Sequence, residues 1–585
     1  MTTHAAHAAA HAQIPARFAD QTQMQNRLFA ELSRMFGIEV PLYDKSLLVN
    51  RVCNRAVCDL LASMHRGFAV SDEQLDKTSG ERHGAIRIGR PDEYRWIARF
   101  FACFAMQPHN YYDMTSVGSK SQPIIATAFR STLNPEHRVF TSLLQTSYFD
   151  PQIQARIEAL LAKRQVFSDR AKALIETSER QGGLSSDDAA DLIREGTGRI
   201  FKWTGRARDH QLYKDLCDAG FKIAADIACF ENHHLNHLTP NTFCMDLYTA
   251  AMKRCMGEMD DATFRARAEL ALGRLLTTGD RDFLRLCFRH LSREQIETFA
   301  TGNATTTDVR AIVSSLAERL AGTDLNLATL EHAGFKDFTE GPAENTPVLL
   351  RQDAYKALTE PVVFTNPDGT TTSAVHTARF GEIEQRFYAC TTEGRKLYDD
   401  CLTRADAARE KDPSLPKKDF AAYEALYAAP FAPFPKTLTG LLESELVYAR
   451  YSPTAKGLAA KGSTLTTNIH ELVKLGHARA EGLRYEDFLP VSAAGIFASN
   501  LSQYGTKSTA AVKPDYPQSL LEDVMGKKVV EADKVYRGLW AASLLVTYAE
   551  LGLLDRLPPA QRLRLEEDAR HSPAGHAPAL EHAGA

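Results

Sequence analysis

Between Glu81 and Leu144 the hydrophobic rhythm of the chain changes in an order that few folds accommodate. Gly84–Gly89 alternates like a strand, and Pro91-Asp92 then opens a helix whose face carries Trp96, Phe100, Phe101 and Phe104. Three strand-like runs follow near Tyr111–Thr115, Pro123–Phe129 and Arg138–Leu144, separated by turn residues. The order is β-α-β-β-β.

Helical pattern surrounds this unit. Met24, Leu28, Leu32 and Met35 recur at helical spacing, and a second helix is expected from about Leu47 to Met64. Helices return from Pro151 to about Phe201, with a Ser185-x-x-Asp188 start signal. A new strand region is expected from near Ile223, and Leu247–Leu320 reads as helical throughout. Strands resume at Pro347–Leu350, Val362–Thr365 and Thr370–Val375, the last two flanking an Asn366-Pro367-Asp368-Gly369 hairpin turn. Arg379–Thr391 completes the set, and the remainder is mainly helical.

This pattern predicts an α+β fold with one catalytic domain over residues 18–555. Strand-rich modules occupy about 80–145 and 221–395, a helical insertion 247–320, and a helical C-terminal part 396–555. Residues 1–17, rich in Ala and His, and 556–585 read as disordered tails.

The chain has 585 residues, 44% of them apolar and 24% charged, with a net charge of −4. That balance points away from nucleic-acid and polybasic membrane roles. The most apolar stretch, Leu539–Leu554, is interrupted by Tyr548 and Glu550 and reads as a core helix. None of the ten cysteines forms a CxxC pair, and most lie in apolar stretches, as expected of reduced thiols in a cytoplasmic protein. Nothing in the sequence sets the oligomeric state.

Three phrases carry chemistry: Glu81-Arg82-His83-Gly84-Ala85-Ile86-Arg87, Asn236-His237-Leu238-Thr239-Pro240 and Arg379-Phe380-Gly381-Glu382-Ile383-Glu384-Gln385-Arg386. Each reads as a strand or strand end and offers a metal ligand. Two imidazoles and a carboxylate are the donor set that binds Fe(II) with positions left open. On a strand His83, Ala85 and Arg87 share a face, with the Cα atoms of His83 and Arg87 ~13 Å apart at about 3.3 Å per residue. Arg87 then suits the distal carboxylate of an acidic substrate, or else a surface ion pair. His233, His234 and His237 invite a zinc reading, but Pro240 and the lack of an adjacent glutamate argue against a helical HExxH site. Glu382, Glu384 and Arg386 share another face. Two carboxylates there repel unless a cation intervenes, and spacing leaves open which glutamate binds metal.

These phrases, with Tyr485–Phe497 (YEDFLPVSAAGIF), closely resemble the 2-oxoadipate dioxygenase/decarboxylase family of the vicinal-oxygen-chelate superfamily. Shorter echoes are VPLY at Val40–Tyr43, LAKRQVFSDRA at Leu161–Ala171, and LLRQ with KAL within Leu349–Leu358; the likeness spans about Phe29 to Leu501. The resemblance implies a barrel built from two β-α-β-β-β-type modules. It implies Fe(II) held by His83, His237 and Glu382, with substrate contacts at Arg87, Val491 (through its backbone) and Ser492. It implies oxidative decarboxylation and hydroxylation of 2-oxoadipate by O2, giving D-2-hydroxyglutarate and CO2 in lysine breakdown, with no organic cofactor.

Three departures bear on this. The stretch Leu247–Leu320 looks inserted, Asn241 stands where the family has Arg, and Phe387 stands where it has Gly. The last two are expected to alter substrate size or charge preference. Other readings are a non-redox metal lyase or isomerase on the same scaffold, separable by oxygen consumption, and a non-catalytic binding relative, separable by binding without turnover.

Overall fold

The computed structural model describes residues 18–573, apart from 117–120, 133–134, 279–280, 337–338, 340, 464–465, 490–508 and 513. The expected opening helix spans Gln21–Glu39, its N-terminus capped by Asp20, whose carboxylate accepts from Gln23 N at 2.8 Å. Pro41 starts the next helix, Pro41–Met64.

The β-α-β-β-β unit is present in the expected order. Strand β1 (Glu81–Ile88) leads into the helix Pro91–Cys103, followed by β2 (Met106–Asp113), β3 (Ile124–Ser131) and β4 (Arg138–Leu144). The helix buries Tyr94, Ile97, Phe100 and Phe101, and the Tyr94 hydroxyl donates to Thr141 O at 2.8 Å. Farther along come β5 (Arg206–Arg208), β6 (His237–Pro240), β7 (Leu350–Ala354), β8 (Thr359–Thr365), β9 (Thr371–Thr377) and β10 (Glu382–Arg386). The main sheet has the order β2-β3-β4-β1-β6, so β1 lies between a parallel neighbour, β4, and an antiparallel one, β6.

The second module differs from expectation. β7 pairs with β10, whereas the β8–β9 hairpin joins β5 in a separate three-stranded sheet. Along β8, Val362 and Phe364 are buried while Val363 is exposed, so one face packs on the body and the other meets solvent. Among the described residues no sheet closes into a barrel. The main sheet and the β7–β10 pair touch through a parallel bridge between Asn241 and Glu384, where Thr242 N donates to Glu384 O at 2.9 Å.

Two further boundaries move. Lys222–Cys229 is a helix rather than the start of a strand region, and the strand there is only β6. A short, mostly apolar run that is almost wholly buried carries no period to tell helix from strand. Pro559–Ala569, read as tail, is a helix packed against Ala532–Glu550. The stretch 247–320 is mainly helical, with a two-residue strand at Ala300–Thr301, and its helices pack on Pro41–Met64. Residues 1–17 and 574–585 lie outside the described residues. No described helix is long and apolar enough to cross a membrane.

Candidate metal centre

β1, β6 and β10 bring the three phrases to one buried point. The antiparallel register of β1 and β6 sets Ala85 opposite His237 and His83 opposite Thr239. The Asn241–Glu384 bridge brings β10 alongside, so that Glu382 faces both imidazoles. His83 Nε2 lies 3.3 Å and His237 Nε2 3.5 Å from the same oxygen, Glu382 Oε2. The three ligand atoms lie within 4.8 Å of one another, and all three residues are buried. Thr239 donates its hydroxyl to Glu382 Oε2 at 3.1 Å. Glu382 Oε1 is buried without a hydrogen-bond partner among the described residues. Such an oxygen is costly to bury unless a cation takes it, and this donor set fits a divalent ion of the iron class.

The electrostatics agree. Burial pushes the Glu382 carboxyl up, but His237 and His83 beside it outweigh that and hold it below its ordinary range. Burial pulls His237 down to about 4 against the attraction of Glu382, so near neutral pH its imidazole has a lone pair to offer. Phe380 stacks on the His237 ring at 4.9 Å, and Phe488 meets the His83 ring edge-on at 4.8 Å.

Glu384 has a different set of partners. Its Oε2 lies 2.9 Å from His83 Nδ1, and its oxygens accept from Arg386 Nε and Nη2 at 2.7 and 2.8 Å. Arg138 closes on Glu384 Oε1 and also pairs with Glu486 at 3.1 Å. Burial pushes the Glu384 carboxyl up, but Arg138 and Arg386 hold it well below the usual carboxylate range. A carboxylate beside Nδ1 favours the tautomer that leaves the lone pair on Nε2, facing Glu382.

The three neighbouring histidines part ways. His237 joins the cluster, His233 Nε2 lies 3.3 Å from Glu93 Oε2, and His234 Nε2 lies 3.1 Å from Asp226 Oδ1. Arg87 is buried rather than on the surface, and its Nη1 donates to Asp226 Oδ2 at 2.6 Å. Val491 and Ser492 lie outside the described residues.

The two substituted positions lie in different surroundings. Phe387 follows Arg386 and takes the opposite face of the strand line from Glu382 and Glu384. It lines a cavity of about 520 Å³ with Leu275, Phe283 and Leu438, a cavity to which the three ligands do not contribute. Asn241 is buried, and its Oδ1 accepts from Arg484 Nη2 at 3.2 Å. Sequence reasoning missed Thr239 as a partner of Glu382, Arg138 and Asp226. Asp226 left one trace, a lone acidic residue inside an apolar helical run.

Gly381, just before Glu382, is needed for close approach. A Cβ there would meet the Tyr355 ring at 2.5 Å. Gly381→Ala is expected to cost about 1–3 kcal/mol of stability and to shift Glu382, weakening metal binding; thermal denaturation and metal titration check both.

The sequence profile of the 2-oxoadipate dioxygenase/decarboxylase family matches residues 28–266 and 301–500. Residues 267–300 thus fall between the matched stretches; from them Arg289 reaches Glu136 at 3.1 Å and also pairs with Glu486. A Pseudomonas putida protein named 2-oxoadipate dioxygenase/decarboxylase is 34% identical over 84% of this chain and 90% of its own. An Escherichia coli protein of the same name is 29% identical over 88% and 95%. The crystal structure of the Pseudomonas putida hydroxyglutarate synthase in complex with 2-oxoadipate is similar at a TM-score of 0.63 and 31% identity, covering 92% of this chain and all of that one. With the profile matching most of its length, the chain belongs to the 2-oxoadipate dioxygenase/decarboxylase family.

Proposed function

We propose that this protein is an Fe(II)-dependent oxygenase that converts 2-oxoadipate and O2 to D-2-hydroxyglutarate and CO2. His83, His237 and Glu382 hold the metal, and Arg87, Val491 and Ser492 bind the substrate. The observation that supports this most is the convergence of the two Nε2 atoms on Glu382 Oε2 in a chain of this family. When bound, Fe(II) supplies the redox chemistry that lets O2 oxidise a 2-oxo acid. The reaction balances without a further reductant: six carbons become five plus CO2, and the two atoms of O2 are divided between the products.

The chain's own residues supply position and surroundings. Glu384, clamped by Arg386 and Arg138, keeps the His83 ring from turning. Thr239 fixes the Glu382 carboxylate, and the rings of Phe380 and Phe488 keep water from the imidazoles. Arg87 takes the distal carboxylate through its guanidinium fork. On the same reading, the main sheet and the β7–β10 pair are two halves of a vicinal-oxygen-chelate-like barrel. The enzyme would act in the cytoplasm, in lysine breakdown, and its buried free cysteines fit a reducing compartment.

Steady-state turnover tests the reading: with Fe(II) present and no 2-oxoglutarate added, O2 consumption is expected to match CO2 and 2-hydroxyglutarate one to one. Product formation without O2 consumption would instead support a lyase or isomerase. Arg87→Lys is expected to weaken turnover of 2-oxoadipate about ten- to more than a hundredfold, the loss of a charged hydrogen bond of ~1.5–3 kcal/mol, while metal content survives. Unchanged kinetics would remove Arg87 from the site.

A further inference from the structure

Arg87 is built into a buried assembly drawn from four separate segments. Its Nη1 donates to Asp226 Oδ2 at 2.6 Å, from β1 to the helix Lys222–Cys229. The other Asp226 oxygen, Oδ1, lies 3.1 Å from His234 Nε2, just before β6, and 3.1 Å from His376 Nε2, near the end of β9. His376 is fixed in turn. Its Nδ1 shares a hydrogen bond with the Tyr213 hydroxyl at 2.9 Å, and its ring lies against Phe230 at 4.5 Å and Trp203 at 5.9 Å. Arg87, Asp226, His234 and His376 are all buried. Burial pushes the Asp226 carboxyl up, but His234 and Arg87 hold it well below its ordinary range, so it is ionised.

Such an arrangement answers a specific need. A guanidinium on a long flexible stem recognises a carboxylate well only when its plane is held, and a carboxylate anchored on its far side is the usual means of holding it. We propose that Asp226, flanked by His234 and His376, is the positioning residue that aims the Arg87 guanidinium and thereby sets the preference for a dicarboxylate over a 2-oxo monocarboxylate. This rests on the reading of Arg87 as the anchor for the distal carboxylate. Asp226, His234 and His376 also form a donor set that a cation could use. Arg87 already neutralises the carboxylate, however, and a divalent ion would leave two uncompensated positive charges beside Trp203 and Phe230.

The test compares kcat/KM for 2-oxoadipate with that for 2-oxohexanoate, which has the same carbon skeleton without the distal carboxylate. It also measures Co2+ stoichiometry, in the full-length protein and its variants. Asp226→Asn and Arg87→Lys are each expected to lower the ratio by about tenfold or more, chiefly through KM for 2-oxoadipate. The double variant should fall no further than the larger single loss, because both changes remove one device. His376→Gln should lower the ratio less, in the same direction, and it carries the test if Asp226→Asn fails to fold. One Co2+ equivalent is expected throughout.

Equal losses on both substrates in Asp226→Asn, or an unchanged ratio there while Arg87→Lys lowers it, would overturn the positioning role alone. An unchanged ratio in Arg87→Lys would overturn the anchor reading itself. A second Co2+ equivalent, lost in His376→Gln, would make the triad a cation site instead.

Discussion

His83→Ala, His237→Ala and Glu382→Ala are each expected to abolish Fe(II)-dependent turnover of 2-oxoadipate and to lose the tightly bound metal. Each residue supplies the only ligand that its phrase brings to the cluster, and the three ligand atoms lie within 4.8 Å of one another. A centre reduced to two protein ligands is no longer the facial set that suits Fe(II). Glu382→Ala is the sharpest of the three, because it also removes the oxygen on which both imidazoles and Thr239 converge. Metal analysis beside activity separates this from misfolding: a folded variant that keeps one tightly bound iron and turns over would take that residue out of the ligand set.

The second large effect falls on Glu384. Glu384→Gln keeps the shape but removes the charge that orders His83, and is expected to lower metal affinity about ten- to a hundredfold. Glu384→Ala leaves Arg138 and Arg386 without their shared carboxylate in a buried setting, which costs about 3–5 kcal/mol. Its Tm should therefore fall well below that of Glu384→Gln, whereas the Glu382 variants should lose metal with far less loss of stability. If Glu384→Gln abolished iron binding and Glu382→Gln did not, the two carboxylates would have to exchange roles.

The contrast between these two glutamates shows what the sequence could and could not convey. Parity put Glu382, Glu384 and Arg386 on one face, and Arg386 supplies the cation that two carboxylates on one face require, by pairing with Glu384. The choice between the carboxylates depended on Arg138 and His83, which are distant in sequence and adjacent only once β1, β4 and β10 are assembled. The β-α-β-β-β unit was legible because its helix and strands have distinct periods and punctuating turns. Lys222–Cys229 was not, because almost complete burial erased its period. The pairing of β8–β9 with β5 was beyond reach as well, since three residues, Arg206–Arg208, carry no pattern of their own. Phe387, close to Glu382 in sequence, takes the other face of its strand line, away from the ligands.

The measurement that bears most directly on the central claim is a single turnover with limiting iron. The protein is reconstituted anaerobically with one equivalent of Fe(II), mixed with 2-oxoadipate and then exposed to O2, in parallel with Glu382→Ala. Formation of CO2 and 2-hydroxyglutarate in equal amounts, proportional to bound iron and missing from Glu382→Ala, is the result predicted. Equal product yield in the variant, or turnover by the metal-free protein, would contradict it.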